Sequence, residues 1–187
     1  LARVLLREAG VAAKDVASVG LSGIYSMVPV DAQANPLRSG GIMYGVDTRS
    51  VLEIEEVLGW HGEEKIFKRT GNGLSAQSMG PKILWLKKNE PEVYAKAHSF
   101  IPCANFIAAR LTGGFYIDHL TAGFYGPCYD PAKLAWDAEL CTGIVEPERL
   151  PEPRWATELA GRVTAEAAKR TGLAEGTAIT IGTCDVA

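Results

Sequence analysis

The chain has 187 residues, with 19 Lys and Arg against 22 Asp and Glu, and 47% of it is apolar. That length suits one domain with a real core, and the apolar content excludes intrinsic disorder. A net charge of −3 without a basic block argues against nucleic-acid binding, and no apolar run approaches the ~20 residues of a membrane span.

Residues 1–20 lack the charged start, apolar centre and cleavage site of a secretory signal. Cys103, Cys128, Cys141 and Cys184 form no C-x-x-C pair and no zinc pattern. They read as reduced thiols filling the core of a cytosolic, cytoplasmic protein. The chain opens on Leu1 inside an amphipathic run and stops just after an apolar strand, so it reads as a fragment of something longer.

Taken in order, residues 1–9 predict a helix stopped by Gly10. Val16 to Ser22 predicts a short strand, Tyr25 to Asp31 a second, and Gly41 to Gly45 a third. Residues 48–58 predict a helix with Val51, Ile54, Val57 and Leu58 on one face. Another helix begins near Gly80-Pro81, with Ile83, Leu84 and Leu86 inward, and Pro91 to Ala97 follows as a short one. Ile101 to Leu111 predicts a helix closed by Thr112-Gly113-Gly114, and residues 115–130 an aromatic loop. Asp137 to Cys141 predicts a short helix, Pro147 to Pro153 a turn, Val163 to Thr171 a helix stopped by Gly172, and Ala178 to Gly182 a buried strand. Strands alternating with helices give an α/β domain in which parallel pairing is expected.

Polar residues stand where apolar strands end: Ser22-Gly-Ile-Tyr-Ser26, Asp47-Thr-Arg49 and Asp185. In open α/β sheets ligands bind beyond the carboxyl ends of strands, which makes these the site candidates. Each also has a plain reading. Asp47 suits the N-cap of the 48–58 helix, Arg49 a surface charge or a partner for Asp47, Ser22-Gly23 a tight turn, and Asp185 the cap of a following helix. No phosphate loop of the G-x-x-x-x-G-K type and no G-x-G-x-x-G occurs, which argues against a dehydrogenase-like domain. His61, His98 and His119 have no metal spacing. The methionines read as core or pocket wall, and the tryptophans as packing residues.

The ordered series of short motifs is more specific than any one of them. Val19-Gly-Leu-Ser-Gly23, Val30-Asp31, Asn35-Pro-Leu37 and Tyr44-Gly-Val-Asp-Thr-Arg49 are followed by Thr70-Gly-Asn72, Pro81-Lys-Ile-Leu-Trp-Leu86, Arg110-Leu-Thr-Gly113, Asp118, Tyr129-Asp130 and Trp136-Asp137. The series closes with Gly161-Arg-Val-Thr164, Thr171-Gly-Leu173, Gly176-Thr177 and Gly182-Thr-Cys-Asp185. It resembles the N-terminal half of the FGGY family of carbohydrate kinases, in a xylulokinase-like form, over nearly the whole chain.

The resemblance implies a ribonuclease-H-like, actin-like ATPase domain, a mixed central sheet with helices on both faces. Residues 1–187 would be part of the sugar-binding first domain, without the opening strands and phosphate loop and without the second, ATP-binding domain. It further implies ATP and Mg²⁺ for the full-length enzyme, a small sugar or polyol as substrate, no nucleic acid or membrane partner, and compatibility with a homodimer. Asp185 falls on the family's catalytic Asp, while Tyr25 and Ser26 fall on the substrate-recognition pair. Xylulose kinases usually have Met-His at that pair and glycerol kinases Arg-Glu. Asp47 and Arg49 match the D-x-R motif, and Gln77 lies near a substrate position. Asn105 stands where the family commonly has Asp, with no evident catalytic consequence, and no residue is assigned to a metal. A five-carbon ketose is the first expectation. The alternatives are a kinase for another polyol or sugar acid, or a non-catalytic sugar sensor of the same fold, since fold alone does not decide function.

Overall fold

The computed structural model describes residues 1–186. The first helix, α1 (Ala2–Ala9), ends as expected at Gly10, whose φ of 64° few other residues tolerate. The predicted strand at 16–22 is two short pieces, β1 (Ser18–Val19) and β2 (Ser22–Gly23), interrupted at Gly20-Leu21. Next come β3 (Ser26–Val30) and β4 (Ile42–Met43).

Helix α2 (Val51–His61) starts three residues later than expected, with Ser50 at its N-cap. Asp47 is therefore not the cap. Helix α3 (Glu63–Thr70) was not expected: it is strongly charged and buries Ile66 alone, so its sequence carries almost no inward stripe. Helices α4 (Met79–Asn89) and α5 (Pro91–Lys96) match expectation, with prolines in their first turns.

The segment read as a helix from Ile101 splits in two. Ser99–Pro102 is strand β5, antiparallel to β3 with Met27 opposite Pro102 and Val30 opposite Ser99. Helix α6 (Cys103–Thr112) begins only after it. A short apolar run suits a buried strand and a buried helix equally, and here pairing with β3 decides between them. The stretch expected to be loop from 115 to 130 also contains β6 (Tyr116–Asp118), α7 (His119–Gly123) and β7 (Tyr129–Asp130). Asp118 caps α7 by accepting the Thr121 N–H at 3.0 Å.

The chain continues through β8 (Ala135–Trp136), α8 (Ala138–Cys141), β9 (Glu152–Arg154), β10 (Leu159–Arg162), α9 (Ala165–Thr171), β11 (Ala178–Thr180) and β12 (Thr183–Cys184). Asp137 and Thr164 cap α8 and α9 through their side chains. Strands β9 and β10 were not expected, and β9 occupies part of the predicted turn at 147–153.

Some of the pairing is parallel, as an α/β domain leads one to expect. β1 runs parallel to β11, β2 to β12, and β6 to β9, whereas β10 lies antiparallel to β11 on its other side. β3 sits between β4 and β5, all antiparallel. The main core gathers Met27, Ile42, Val57, Ile66, Met79, Ile83, Leu86, Phe100 and Tyr125, and a second cluster joins Leu111, Val163, Ile179 and Ile181 under α6 and α9. Cys128, Cys141 and Cys184 are buried free thiols and Cys103 is partly exposed. No helix of the described residues is long and apolar enough to cross a membrane.

Candidate active site

A cleft of about 250 Å³ lies beyond the ends of β2 and β12, lined by Tyr25, Tyr44, Gln77, Phe124, Asp185 and Val186. Its position follows from the parallel β2–β12 pair, which delivers the chain at Gly23 and at Cys184 to the same edge. The Asp185 N–H donates to the Gly23 carbonyl at 3.1 Å, so the residue stays tethered to β2 while its exposed side chain borders the cleft.

Tyr25 forms the floor. Its hydroxyl donates to the Phe124 carbonyl at 2.8 Å, with the Gln77 carbonyl at 3.3 Å, and its ring centroid stands 4.6 Å from Phe124 and 6.5 Å from Tyr44. Burial pushes its phenol well above 10, and nearby Tyr125 and Cys184 add to this. It therefore stays neutral, and its proton is already committed to the backbone. The ring, only 5% exposed and packed on Phe124, shapes the floor of the cleft, and the hydroxyl is not free to read a ligand.

Of the residues singled out from sequence, the structure brings Tyr25, Gln77 and Asp185 together. Ser26 does not join them. It is buried at the start of β3, 3% exposed, and a Cβ placed on Gly41 would lie 3.6 Å from its Oγ. Asp47 and Arg49 also stand outside the cleft's lining and pair with each other, Arg49 Nε lying 2.8 and 3.0 Å from the two Asp47 carboxylate oxygens. The guanidinium stands 4.7 Å over the Trp85 ring. Burial raises the Asp47 carboxyl, but hydrogen bonds and charge from Arg49, with the charge of Lys82, outweigh that and hold it below its usual range.

Lys82 is the residue sequence reading missed. It is fully buried in α4, and its Nζ donates to the carbonyls of Met43 and of Tyr44, the latter at 3.0 Å. This holds the turn that puts the Tyr44 ring in the cleft. Burial drives its ammonium down to about 8, against the pull of Asp47 and with the repulsion of Arg49. The signal was available: Lys82 sits between Met79 and Leu86 on an apolar helix face, where a Lys is buried with its head paired.

The described residues gather no group of three or more metal-ligating side chains. The Mg²⁺ implied by the sequence resemblance thus finds no cage of protein ligands among them. Mg²⁺ commonly takes few protein ligands beside water and phosphate oxygens.

The profile described as the FGGY family of carbohydrate kinases, N-terminal domain, matches residues 1–187. An autoinducer-2 kinase of Klebsiella pneumoniae subsp. pneumoniae is 30% identical over 140 residues, which cover 74% of this chain and 26% of the relative. A xylulose kinase of Staphylococcus xylosus is 26% identical over 162 residues, covering 85% of this chain and 33% of its own. The crystal structure of xylulose kinase from Rhodospirillum rubrum superposes with a TM-score of 0.82 at 28% identity, over 91% of this chain and 35% of that one. The chain thus spans about a quarter to a third of the length of these relatives. The architecture is the actin-like, ribonuclease-H-like ATPase fold of the FGGY sugar kinases. Matched by that profile over residues 1–187, the chain belongs to the FGGY family of carbohydrate kinases.

Proposed function

We propose that the protein carrying this domain transfers a phosphoryl group from ATP to a hydroxyl of a small sugar or polyol, with a five-carbon ketose as first candidate. The observation that carries this reading is the meeting of one exposed carboxylate, Asp185, with an aromatic-walled cleft of about 250 Å³ that also holds the Gln77 amide. Rings stack on the carbon face of a sugar, an amide reads its hydroxyls, and a carboxylate accepts a proton.

A sugar hydroxyl is a poor nucleophile. In this reading the substrate hydroxyl donates its proton to Asp185 as its oxygen attacks the γ-phosphorus, the bond from that phosphorus to the bridging oxygen breaks and ADP leaves, and Gln77 and Tyr44 orient the remaining hydroxyls. Mg²⁺ supplies charge neutralisation on the phosphates when bound. The kinship with proteins named autoinducer-2 kinase and xylulose kinase supports the kinase reading without choosing the substrate.

Sugar-dependent ADP release by the full-length protein, measured across ketopentoses, polyols and sugar acids, tests this. A ketopentose at the head of the ranking by kcat/KM is the expected result. A polyol or sugar acid at the head overturns the ketose assignment, and no sugar-dependent release with folded protein overturns the kinase reading.

A further inference from the structure

The strand that delivers Asp185 is irregular in one place. From Val19 to Ser22 the chain takes three residue steps, but its parallel neighbour takes four, from Ile179 to Thr183. The extra residue is accommodated at Ile181-Gly182, where Gly182 has a φ of 78° and a Cβ would lie 2.3 Å from the Leu21 carbonyl oxygen. Such a bulge re-aims the side chains beyond it, Asp185 among them.

Two buried polar side chains grip the bulge, one on each side. Asn105, 2% exposed in α6, donates from Nδ2 to the Ile181 carbonyl at 3.0 Å. Asp118, also 2% exposed, accepts from the Thr183 hydroxyl at 3.0 Å through the same Oδ1 that caps α7. Both grips leave buried polar atoms without partners: Asn105 Oδ1, Asp118 Oδ2 and, in the capped helix, Thr121 Oγ1. Unpartnered buried polar atoms are destabilising, and apolar groups of the same shape would be better tolerated. Polar side chains kept at such a cost to stability point to geometry rather than to packing.

We propose that Asn105 and Asp118, the latter through Thr183, are positioning residues that set the bulge at Gly182 and thereby aim Asp185 at the substrate hydroxyl. The inference rests on the reading of Asp185 as proton acceptor. Asn105 thereby gains a role: its amide is a donor to the Ile181 carbonyl, which an ionised carboxylate at that position could not be.

The test is a set of variants of the full-length protein, assayed for kcat and sugar KM with folding checked by calorimetry. Thr183→Val removes the hydroxyl, keeps the shape and leaves the Asp118 cap of α7 intact; Thr183→Ser restores the hydroxyl. Asn105→Leu removes the donor to Ile181. Misplacing a reacting group by a fraction of an ångström to 1 Å costs up to about 10²-fold, so kcat is expected to fall about 10- to 100-fold in Thr183→Val and Asn105→Leu with sugar KM little changed. Thr183→Ser should recover most of the loss, and Thr183→Val should still unfold cooperatively, with a thermal midpoint lowered only modestly by the donor that Asp118 loses.

The double variant Thr183→Val/Asp185→Asn should be no slower than Asp185→Asn alone, because the clamp acts through that carboxylate. Wild-type kcat in Thr183→Val, or additive losses in the double variant, with Asp185→Asn itself impaired, overturns the clamp and leaves the base. Wild-type kcat in Asp185→Asn overturns the base, and the clamp with it.

Discussion

The Tyr25 hydroxyl donates to the Phe124 carbonyl at 2.8 Å while the two rings stand 4.6 Å apart, so one side chain both ties β3 to the loop after α7 and floors the cleft. Because that hydroxyl is already bonded, Tyr25→Phe should leave sugar KM nearly unchanged. The chain should lose about 1 kcal/mol of stability, the net worth of one such hydrogen bond. Urea denaturation alongside steady-state kinetics checks both halves. A large rise in KM with unchanged stability would show that the hydroxyl serves the sugar.

The family resemblance pairs Tyr25 and Ser26 as the recognition dipeptide, but Tyr25 lines the cleft and the buried Ser26 does not. Their single substitutions should therefore separate. Tyr25→Met, which removes the ring wall, is expected to reorder a panel of sugars by kcat/KM. Ser26→Ala is expected to leave the order intact, and a reordered panel in that variant would return Ser26 to the recognition surface.

Lys82 should leave a pH signature on stability. Its ammonium is depressed to about 8 in the folded chain from an ordinary 10.5. Below 8 both folded and unfolded chains carry the proton. Between 8 and 10.5 the folded chain has released it and the unfolded chain still holds it, so the unfolding free energy contributed by this group rises with pH across that window. Lys82→Met removes the titration. The stability of wild type minus that of the variant should climb from pH 8 to pH 10.5. A flat or falling difference would mean that Lys82 is not depressed.

For Asp185, replacement by Asn keeps size and hydrogen-bonding capacity while removing the basic oxygen. General base catalysis contributes about 10²–10⁴-fold, so kcat in Asp185→Asn should drop by that order with sugar affinity far less affected. A purely structural role as a helix cap predicts near-wild-type kcat, since Asn caps as well as Asp. Single-turnover kinetics on the full-length protein distinguish the two.

The sequence alone determined what depends on local chemistry and on pattern. Helix ends at Gly10, Gly113 and Gly172 were readable because each needs a left-handed φ that glycine adopts without strain. The α/β class followed from alternating periods, and the family from an ordered series of short motifs. The position of Asp185 beyond a buried strand was readable for the same reason: apolar residues that end in a carboxylate mark a strand edge. What sequence could not decide depended on partners distant in the chain. Ser99–Pro102 is a strand because β3 lies beside it, and α3 is a helix although only Ile66 faces inward. The Tyr25 hydroxyl is occupied by a carbonyl 99 residues away, Lys82 is buried because the carbonyls of Met43 and Tyr44 receive its head, and Asp118 reaches a strand 65 residues on. Tertiary structure decides these cases because a polar group's role is set by which donor or acceptor it meets once water has left, and that meeting exists only in the folded chain.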